Sequence, residues 1–345
     1  MEPRKTEAGR DLRSGRESLF GSLVPLVALA LLVVLNILTV PHFGRIEIKD
    51  GRLFGAIIDI LHRGTPVMLL AIGMTLVIAT RGIDLSVGAV MAIAGAVSAV
   101  LLTRTGLPVP WVVSVALGAS LAAGLWNGAL VAYLKVQPIV ATLILMVAGR
   151  GLAQLLTEGQ IVTFENRAFE FIGMGSLLWL PVTVYIAAAA FIGTLFLTRK
   201  TVVGTYIEAV GGNETASVYS GINADRVKLF VYGFSGLCAG VAGLIATADI
   251  KAADVSNCGL YLELDAILSV VIGGTLFTGG KFNLAGSVIG ALLIQTLTTA
   301  ILMRGVGVEY TLVVKAVTVV LVCFIQSPAF QKTVLGILTP RRSSR

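Results

Sequence analysis

The sequence contains little charge for its length. Of its 345 residues, only 13% are Asp, Glu, Lys or Arg, whereas 56% are hydrophobic. Ordinary soluble proteins carry about 25% charged residues. A chain of this size therefore lacks the charge that a water-exposed surface needs, which excludes a soluble globular protein and indicates a chain that lipid surrounds.

Cysteine and histidine are also scarce. The three cysteines are Cys238, Cys258 and Cys323, and the two histidines are His42 and His62. Their spacing fits neither a disulfide framework nor a metal site. The sequence contains neither a nucleophile elbow nor a zinc-protease pattern. We therefore expect no metal ligand and no catalytic residue on this chain, and we predict that it is not an enzyme.

Long apolar runs take the place of charge. A helix needs about 20 apolar residues to cross the hydrocarbon core, and the alternation typical of a membrane barrel is missing. We predict an all-α, polytopic transmembrane helical bundle with about ten crossings. The predicted crossings are 21–40, 64–81, 85–103, 111–134, 138–157, 180–198, 228–248, 264–278, 284–303 and 310–326.

The positive charge is distributed unevenly along the chain. The net charge is +7, and basic clusters lie in the first 17 and the last five residues. Under the ten-crossing scheme, the segments on the side of the N-terminus hold about twice as many Lys and Arg residues as the other side, which predicts that both termini are cytoplasmic. The basic clusters have no interleaved aromatic residues, so nucleic acid is not an expected partner. The predicted parts are an N-terminal tail (1–19), a transmembrane domain (20–330) and a C-terminal tail (331–345).

One short segment interrupts the apolar pattern sharply. Residues 80–88 contain an acid, a base and two small glycines between two apolar runs. Asp84 and Ser86 are both candidates to cap the following helix, since their side chains can accept hydrogen bonds from its free N–H groups. The segment is either a capped turn at the membrane surface or a broken helix that dips into the bundle.

Two basic residues lie inside predicted crossings. A Lys or Arg at the centre of a membrane helix costs about 2.5–3.5 kcal/mol on insertion scales. We therefore expect Arg150 and Lys315 either to reach the interface or to pair with Asp265 or Glu263.

Several short sequence motifs lie in order between residues 55 and 330. They are Leu70-Ala71-Ile72-Gly73-Met74-Thr75, Gly82-Ile83-Asp84-Leu85-Ser86-Val87-Gly88, Leu125-Trp126-Asn127-Gly128, Gln137-Pro138, Ala141-Thr142-Leu143, Glu263-Leu264-Asp265-Ala266-Ile267 and Val271-Ile272-Gly273-Gly274. This set resembles the permeases of bacterial ribose-, arabinose- and galactose-type ABC importers. The residues at 50–55, 149–151, 159–164 and 259–265 resemble those of galactofuranose importer permeases most closely.

The resemblance implies a function and a set of partners. It implies a permease subunit that moves a monosaccharide, first of all galactofuranose, across the bacterial inner membrane. The implied partners are a cytoplasmic ABC ATPase, a second related permease or a copy of this chain, and a periplasmic sugar-binding protein. ATP and Mg would be bound by the ATPase, and no cofactor is expected on this chain. Alternatives are a permease for ribose, arabinose or galactose, and an ion-coupled secondary transporter.

The polar residues within the apolar runs also suggest a pathway for the substrate. The candidates for the substrate pathway are Asp84, Ser86, Trp126, Asn127, Gln137 and Thr142, although Asn and Gln in membrane helices often serve only to join helices. The segment 201–228 resembles the loop that docks into the ATPase. Its coupling candidates are Glu208, Ala209, Gly212, Asn213 and Gly221. The alternative for this segment is a solvated loop.

Overall fold

The fold is that of a helical bundle, seen in a computed structural model that describes residues 7–49, 52–307, 310, 312–317 and 320. In this part of the chain the α-helices are α1 (Glu7–Thr39), α2 (Ala56–Ala79), α3 (Val87–Arg104), α4 (Val109–Ala132), α5 (Pro138–Leu156), α6 (Arg167–Met174), α7 (Val182–Lys200), α8 (Val202–Gly212), α9 (Glu214–Tyr219), α10 (Ala224–Ile250), α11 (Leu262–Ile272) and α12 (Leu284–Met303).

Short strands form three antiparallel pairs among the described residues. The strands are β1 (Glu47–Lys49), β2 (Arg52–Phe54), β3 (Val162–Thr163), β4 (Ser176–Leu177), β5 (Leu180–Pro181) and β6 (Ala252–Ala253). The pairs are β1–β2, β3–β6 and β4–β5. None of them forms a core of its own, so the all-α prediction holds for the described chain.

Seven helices of the described chain are long and apolar enough to cross a membrane: α2, α3, α4, α5, α7, α10 and α12. They correspond to seven predicted crossings, and the bounds of α12 agree with the prediction 284–303. A shorter apolar stretch, Leu23–Thr39, lies in α1. The predicted crossing 310–326 and the C-terminal tail 331–345 lie largely outside the described residues. The predicted N-terminal tail 1–19 overlaps α1 from Glu7 onward.

The predicted crossing 264–278 is wrong as a single helix. Helix α11 has only 11 residues, about half the length that a crossing needs. The backbone then leaves helical geometry, with positive φ angles at Gly274, Gly279 and Gly280. Glycine adopts this conformation without steric penalty, so the glycines that follow Ile272 allow the chain to leave the helix. The chain continues from α11 to α12 through a non-helical segment.

Helix α10 lies at the centre of the bundle and packs most extensively against α4, α2 and α3. Small residues make the closest of these contacts. A Cβ atom on Gly124 of α4 would lie 2.4 Å from the carbonyl oxygen of Tyr232 and 3.1 Å from the Cα of Gly236. The small-residue spacings at Gly124 and Gly236 therefore mark a real helix–helix interface.

Contacts between loops define two ends of the bundle. At the α6 end, β3 pairs with β6, and Arg104 forms an ion pair with Glu158. At the α8–α9 end, the N–H group of Gly280 donates to the carbonyl oxygen of Ala79 over 2.8 Å. The loop 158–180 and the segment 201–228 thus lie at opposite ends, as the crossing scheme predicts.

Candidate functional site

A buried polar network occupies the turn between α2 and α3. Asp84 Oδ1 accepts hydrogen bonds from the backbone N–H of Ser86 over 3.0 Å and from its hydroxyl over 2.6 Å. Asp84 Oδ2 accepts from the hydroxyl of Ser235 on α10 over 2.9 Å. Asn127 Nδ2 on α4 donates to Ser86 Oγ over 2.8 Å. One carboxylate therefore joins the turn to α10 and, through Ser86, to α4.

The turn dips into the bundle and does not remain at its surface. Ser235 lies eleven residues after Ala224, the first residue of α10, which corresponds to about 16 Å along the helix axis. Both Asp84 and Ser86 are 1% exposed. The broken-helix alternative is therefore the one that the structure shows. Ser86 occupies the N-cap position of α3, but its side chain makes no capping bond to the helix; Asp84 stabilises the turn instead.

Two further side chains support the same turn. The hydroxyl of Tyr232 on α10 lies 3.4 Å from the carbonyl oxygen of Ile83. The hydroxyl of Thr142 on α5 lies 3.3 Å from the same oxygen and 3.0 Å from the carbonyl oxygen of Pro138. Asn127 Oδ1, by contrast, is buried and has no hydrogen-bond partner among the described residues. Of the six pathway candidates, Asp84, Ser86, Asn127 and Thr142 thus lie together.

The other two pathway candidates lie elsewhere. Trp126 is 58% exposed on α4, because consecutive helix residues point about 100° apart and its neighbour Asn127 takes the inward position. Gln137 lies before α5 and lines a cavity of about 350 Å³ at the α8–α9 end. Tyr232 lines the same cavity, so it separates this space from the Asp84 network.

The coupling candidates lie at the α8–α9 end. Glu208 and Ala209 are half-buried on α8, whereas Gly212, Asn213 and Gly221 are exposed. Asn213 caps α9, since its side-chain oxygen accepts from the N–H of Ala216 over 3.0 Å. The segment is therefore two short ordered helices and not a loose loop.

Helices α8 and α9 also expose apolar side chains. The exposed fractions are 61% for Val202, 40% for Tyr206, 54% for Val218 and 88% for Tyr219. Large apolar side chains that are exposed on a polar segment are typical of protein interfaces.

Arg81 connects this end of the bundle to the Asp84 turn. Its Nε donates to the carbonyl oxygen of Thr278 over 2.9 Å, and its Nη2 donates to that of Gly212 over 2.5 Å. Three segments that are distant in sequence thus meet at one guanidinium group.

A larger cavity lies at the α6 end, between α2, α10, α12 and the loop 251–261. Its volume is about 410 Å³, and its polar lining includes His62, Asp249, Asn257 and Gln295. His62 Nε2 lies 3.1 Å from Asp249 Oδ1, and its Nδ1 lies 2.9 Å from the hydroxyl of Thr183. The sequence analysis did not predict any of these residues as part of a site. The sequence does have His62 and Asp249 near the ends of two apolar runs, but only His62 was assessed, and only as a metal ligand.

The loop 251–261 that borders this cavity is held from two sides. Arg150 Nη1 donates to the carbonyl oxygens of Val255, Ser256 and Cys258 over 3.0, 3.0 and 3.2 Å. Of the two alternatives expected for Arg150, reaching the interface or pairing with Asp265 or Glu263, the second is wrong, because backbone carbonyl groups of this loop bind its guanidinium group. The same prediction is confirmed for Lys315, whose Nζ lies 2.6 Å from Asp265 Oδ2.

The second anchor of this loop is an ion pair with α6. Lys251 Nζ lies 2.8 Å from Glu170 Oε2, and Glu170 Oε1 also accepts from the backbone N–H of Asn166 over 3.1 Å. The hydrogen bond from the Lys251 ammonium group holds the pKa of Glu170 below its ordinary range. Burial at the end of the loop raises the pKa of the Cys258 thiol to about 11, so this thiol is protonated at neutral pH.

Metal binding finds no support in the described part of the chain, where no group of three or more His, Cys, Asp or Glu side chains could hold an ion. Two buried carboxylates, Asp84 and Asp265, are engaged by hydroxyl and ammonium groups, whereas Glu263 Oε2 is buried with no hydrogen-bond partner among the described residues. The geometry instead presents the cavity of about 350 Å³ at the α8–α9 end and, at the α6 end, the cavity of about 410 Å³ together with a smaller one of about 210 Å³ that also borders His62 and Asp249.

Comparisons with known proteins indicate a family. The family model described as branched-chain amino acid transport system / permease component matches residues 56–323. The chain is 56% identical to the galactofuranose transporter permease protein YtfT of Escherichia coli strain K12, over 90% of this chain and 91% of that protein. It is 43% identical to the fructose import permease protein FruF of Bifidobacterium longum strain NCC 2705, over 81% of this chain and 80% of that protein. It is 38% identical to the ribose import permease protein RbsC of E. coli strain K12, over 88% and 92% of the two chains. No solved structure matches the chain.

Proposed function

We infer the function from the premise that this chain belongs to the branched-chain amino acid transport system / permease component family. Within that family it is the membrane-spanning permease subunit of a sugar importer of the ABC type. The family description mentions amino acids, but the relatives that match most of the chain are sugar permeases. The 56% identity to a galactofuranose permease over 90% of the chain carries this conclusion.

We propose galactofuranose as the cargo, with another pentose or hexose as the alternative. The chain is a multi-pass membrane protein, and we place it in the bacterial inner membrane with the α8–α9 end and both termini in the cytoplasm. The charge distribution supports this orientation, because the segments on that side hold about twice as many Lys and Arg residues. The proposed full count is about ten crossings, of which seven are apparent as long helices in the described chain.

Transport by this chain requires partners, and we propose three. An ABC ATPase binds ATP and Mg in the cytoplasm, a second permease completes the transmembrane core, and a sugar-binding protein delivers the cargo at the α6 end. The ordered helices α8 and α9, with their exposed Val218 and Tyr219, support a docking role for this segment.

Glu208→Arg tests the docking role. We expect this substitution to reduce co-purification of the ATPase, because it reverses a charge on α8 within the proposed interface, and to leave insertion in the membrane unchanged. Glu165→Arg is the matched control, since Glu165 is exposed near α6 at the opposite end. Equal co-purification of both variants would remove Glu208 from the interface.

The class of transporter is tested by reconstitution in vesicles. The chain with its ATPase, second permease and binding protein should take up galactofuranose only when ATP is present. Uptake by this chain alone, without ATP, would contradict the assignment.

For the pathway we propose the space between the two cavities, where the Asp84 turn forms the closed layer. The two cavities are about 410 Å³ at the α6 end and about 350 Å³ at the α8–α9 end. Alternating movement of the layer would open each cavity to its own side in turn. Asp84, Ser86, Asn127 and Thr142 belong to this layer, and Gln137 lines the space beyond it.

A further inference from the structure

We propose that the 410 Å³ cavity at the α6 end is the chamber that receives the sugar, and that Asp249, Asn257 and Gln295 recognise its hydroxyl groups. The proposal rests on the transport function inferred above and assigns it a site. The cavity is within the usual size range of small-molecule pockets, about 300–1,000 Å³, and lies where α2, α10 and α12 meet the loop 251–261.

The chamber offers hydrogen-bond acceptors that the described protein does not use. Asp249 Oδ1 contacts His62, which leaves Oδ2 available. Asn257 donates through its backbone N–H and its Nδ2 to Asp254, which leaves Oδ1 available. Gln295 Nε2 donates to Thr299 over 3.3 Å, which leaves Oε1 available. Three side chains on three different segments of the lining thus keep an oxygen that has no hydrogen-bond partner among the described residues. Hydroxyl groups are donors that match such acceptors.

The orientation of these oxygens is fixed by the bonds that the side chains already make. His62 is held between Asp249 and Thr183, so its ring positions Asp249 Oδ1. Asp254 holds Asn257 through two contacts, at 3.3 Å to the backbone N–H and 2.8 Å to Nδ2. Side chains that are held in this way lose little conformational freedom on binding, which favours recognition.

The chamber also has apolar lining, beside further polar residues such as Thr247 and Thr298. Met91, Ile245, Leu262 and Pro66 contribute to its wall. A sugar ring has hydroxyl edges and carbon-bound hydrogens on its faces, and this combination of polar and apolar lining fits such a molecule. Of the charged residues in the lining, Arg63 pairs with Asp59 over 2.8 Å and Asp249 contacts His62 over 3.1 Å, whereas Asp254 accepts hydrogen bonds from Asn257.

The first test compares uptake by matched variants of the complete importer. Gln295→Met retains the length of the side chain and removes the unused oxygen together with the contact of Nε2 to Thr299. We expect galactofuranose uptake per folded complex to fall by about fivefold to tenfold, the effect of one lost net hydrogen bond. Gln154→Met is the control, because Gln154 is exposed on α5 outside the chamber, and its uptake should match wild type.

The second test measures access and does not depend on transport. In a chain whose cysteines are replaced by alanine, the Gln295→Cys variant should react with a small charged methanethiosulfonate reagent added from the α6 side. Sugar-loaded binding protein should slow this reaction by about fivefold, the change expected when a bound sugar occupies most of the chambers. The Gln154→Cys variant should react at a rate that the sugar does not change.

The outcomes distinguish a failure of the chamber assignment from a failure of the proposed transport function. If wild type imports galactofuranose but Gln295→Met does so at the wild-type rate, and sugar does not slow the labelling, the chamber assignment is overturned and the transport function stands. Labelling that lipid blocks and sugar does not would overturn it as well, since a lipid headgroup would then occupy the cavity. If the wild-type importer moves no sugar at all, the transport function itself fails.

Discussion

Substitution of Asp84 distinguishes a carboxylate that organises a turn from one that acts on the cargo. In Asp84→Ala the backbone N–H of Ser86 loses its acceptor within a buried site. An unsatisfied buried donor costs about 1–3 kcal/mol, and each of the two hydroxyl bonds contributes about 0.5–1.5 kcal/mol. The hydroxyl of Ser235 can turn to a carbonyl of its own helix, which offsets part of the loss. We expect a net destabilisation of about 3 kcal/mol.

Asp84→Asn should behave differently. The amide oxygen can keep both contacts to Ser86, and the amide nitrogen can donate to the hydroxyl of Ser235, which then accepts. All the partners remain satisfied, so we expect a loss below about 1 kcal/mol. Asp225→Ala is the control, because its pairing with Lys135 is a partly exposed ion pair and such pairs contribute about 0–1 kcal/mol.

The assay has two parts. Thermal unfolding in detergent reports stability, and ATP-driven uptake per folded complex reports function. If Asp84 organises the turn, Asp84→Asn should have almost the melting temperature and the uptake of wild type. Asp84→Ala should lose thermal stability and uptake in parallel. An Asp84→Asn protein that melts like wild type but transports nothing would refute this reasoning and assign the carboxylate to transport chemistry.

Three further predictions follow from packing and charge. Gly124→Ala forces a Cβ to 2.4 Å from a carbonyl oxygen of α10 and should destabilise the folded protein by about 1–3 kcal/mol. Gly118→Ala is the control: a Cβ there has nothing within 4 Å, so the change should be neutral or should stabilise the protein by up to about 1 kcal/mol. Equal melting temperatures of the two variants would contradict the close contact. Arg150→Gln should speed amide hydrogen exchange in the loop 251–261 by about tenfold or more, since hydrogen bonds to a charged group contribute about 1.5–3 kcal/mol. Unchanged exchange would show that Arg150 does not hold this loop. Because Lys251 lowers the pKa of Glu170, their stabilisation is complete above the ordinary Glu value of about 4.3 and is lost as the pH falls through the lowered pKa. The melting-temperature difference between wild type and Glu170→Gln should therefore shrink on acidification, and a difference that grew would reverse the sign.

Much of the helical framework could be predicted from the sequence, because apolar length is a local property. The prediction 111–134 corresponds to Val109–Ala132, and 138–157 corresponds to Pro138–Leu156. The failure at 264–278 has a physical cause: hydropathy counts glycine as compatible with a crossing, whereas its backbone freedom ends α11 at Ile272.

Partners across the bundle were harder to predict. The segment 80–88 was recognised as unusual, but nothing local identifies Ser235, 151 positions away, as the partner of Asp84. For Lys315, Asp265 was one of the two acids expected as a partner, since opposite charges are visible in a sequence. The partners of Arg150 were not predicted. They are backbone carbonyl groups, which every residue has, so the residue types of a sequence do not identify them.

The position of Arg81 has a consequence for engineering. Its guanidinium group bridges the end of α8 at Gly212 and the segment at Thr278, and it lies three positions before Asp84. Under the docking role proposed for α8 and α9, a chimeric permease that exchanged only these two helices would replace one of the three segments that meet at this guanidinium group. The donor fragment would also have to supply matching residues around 81 and 278–280, because otherwise the hydrogen bonds that Arg81 makes to both segments would be lost.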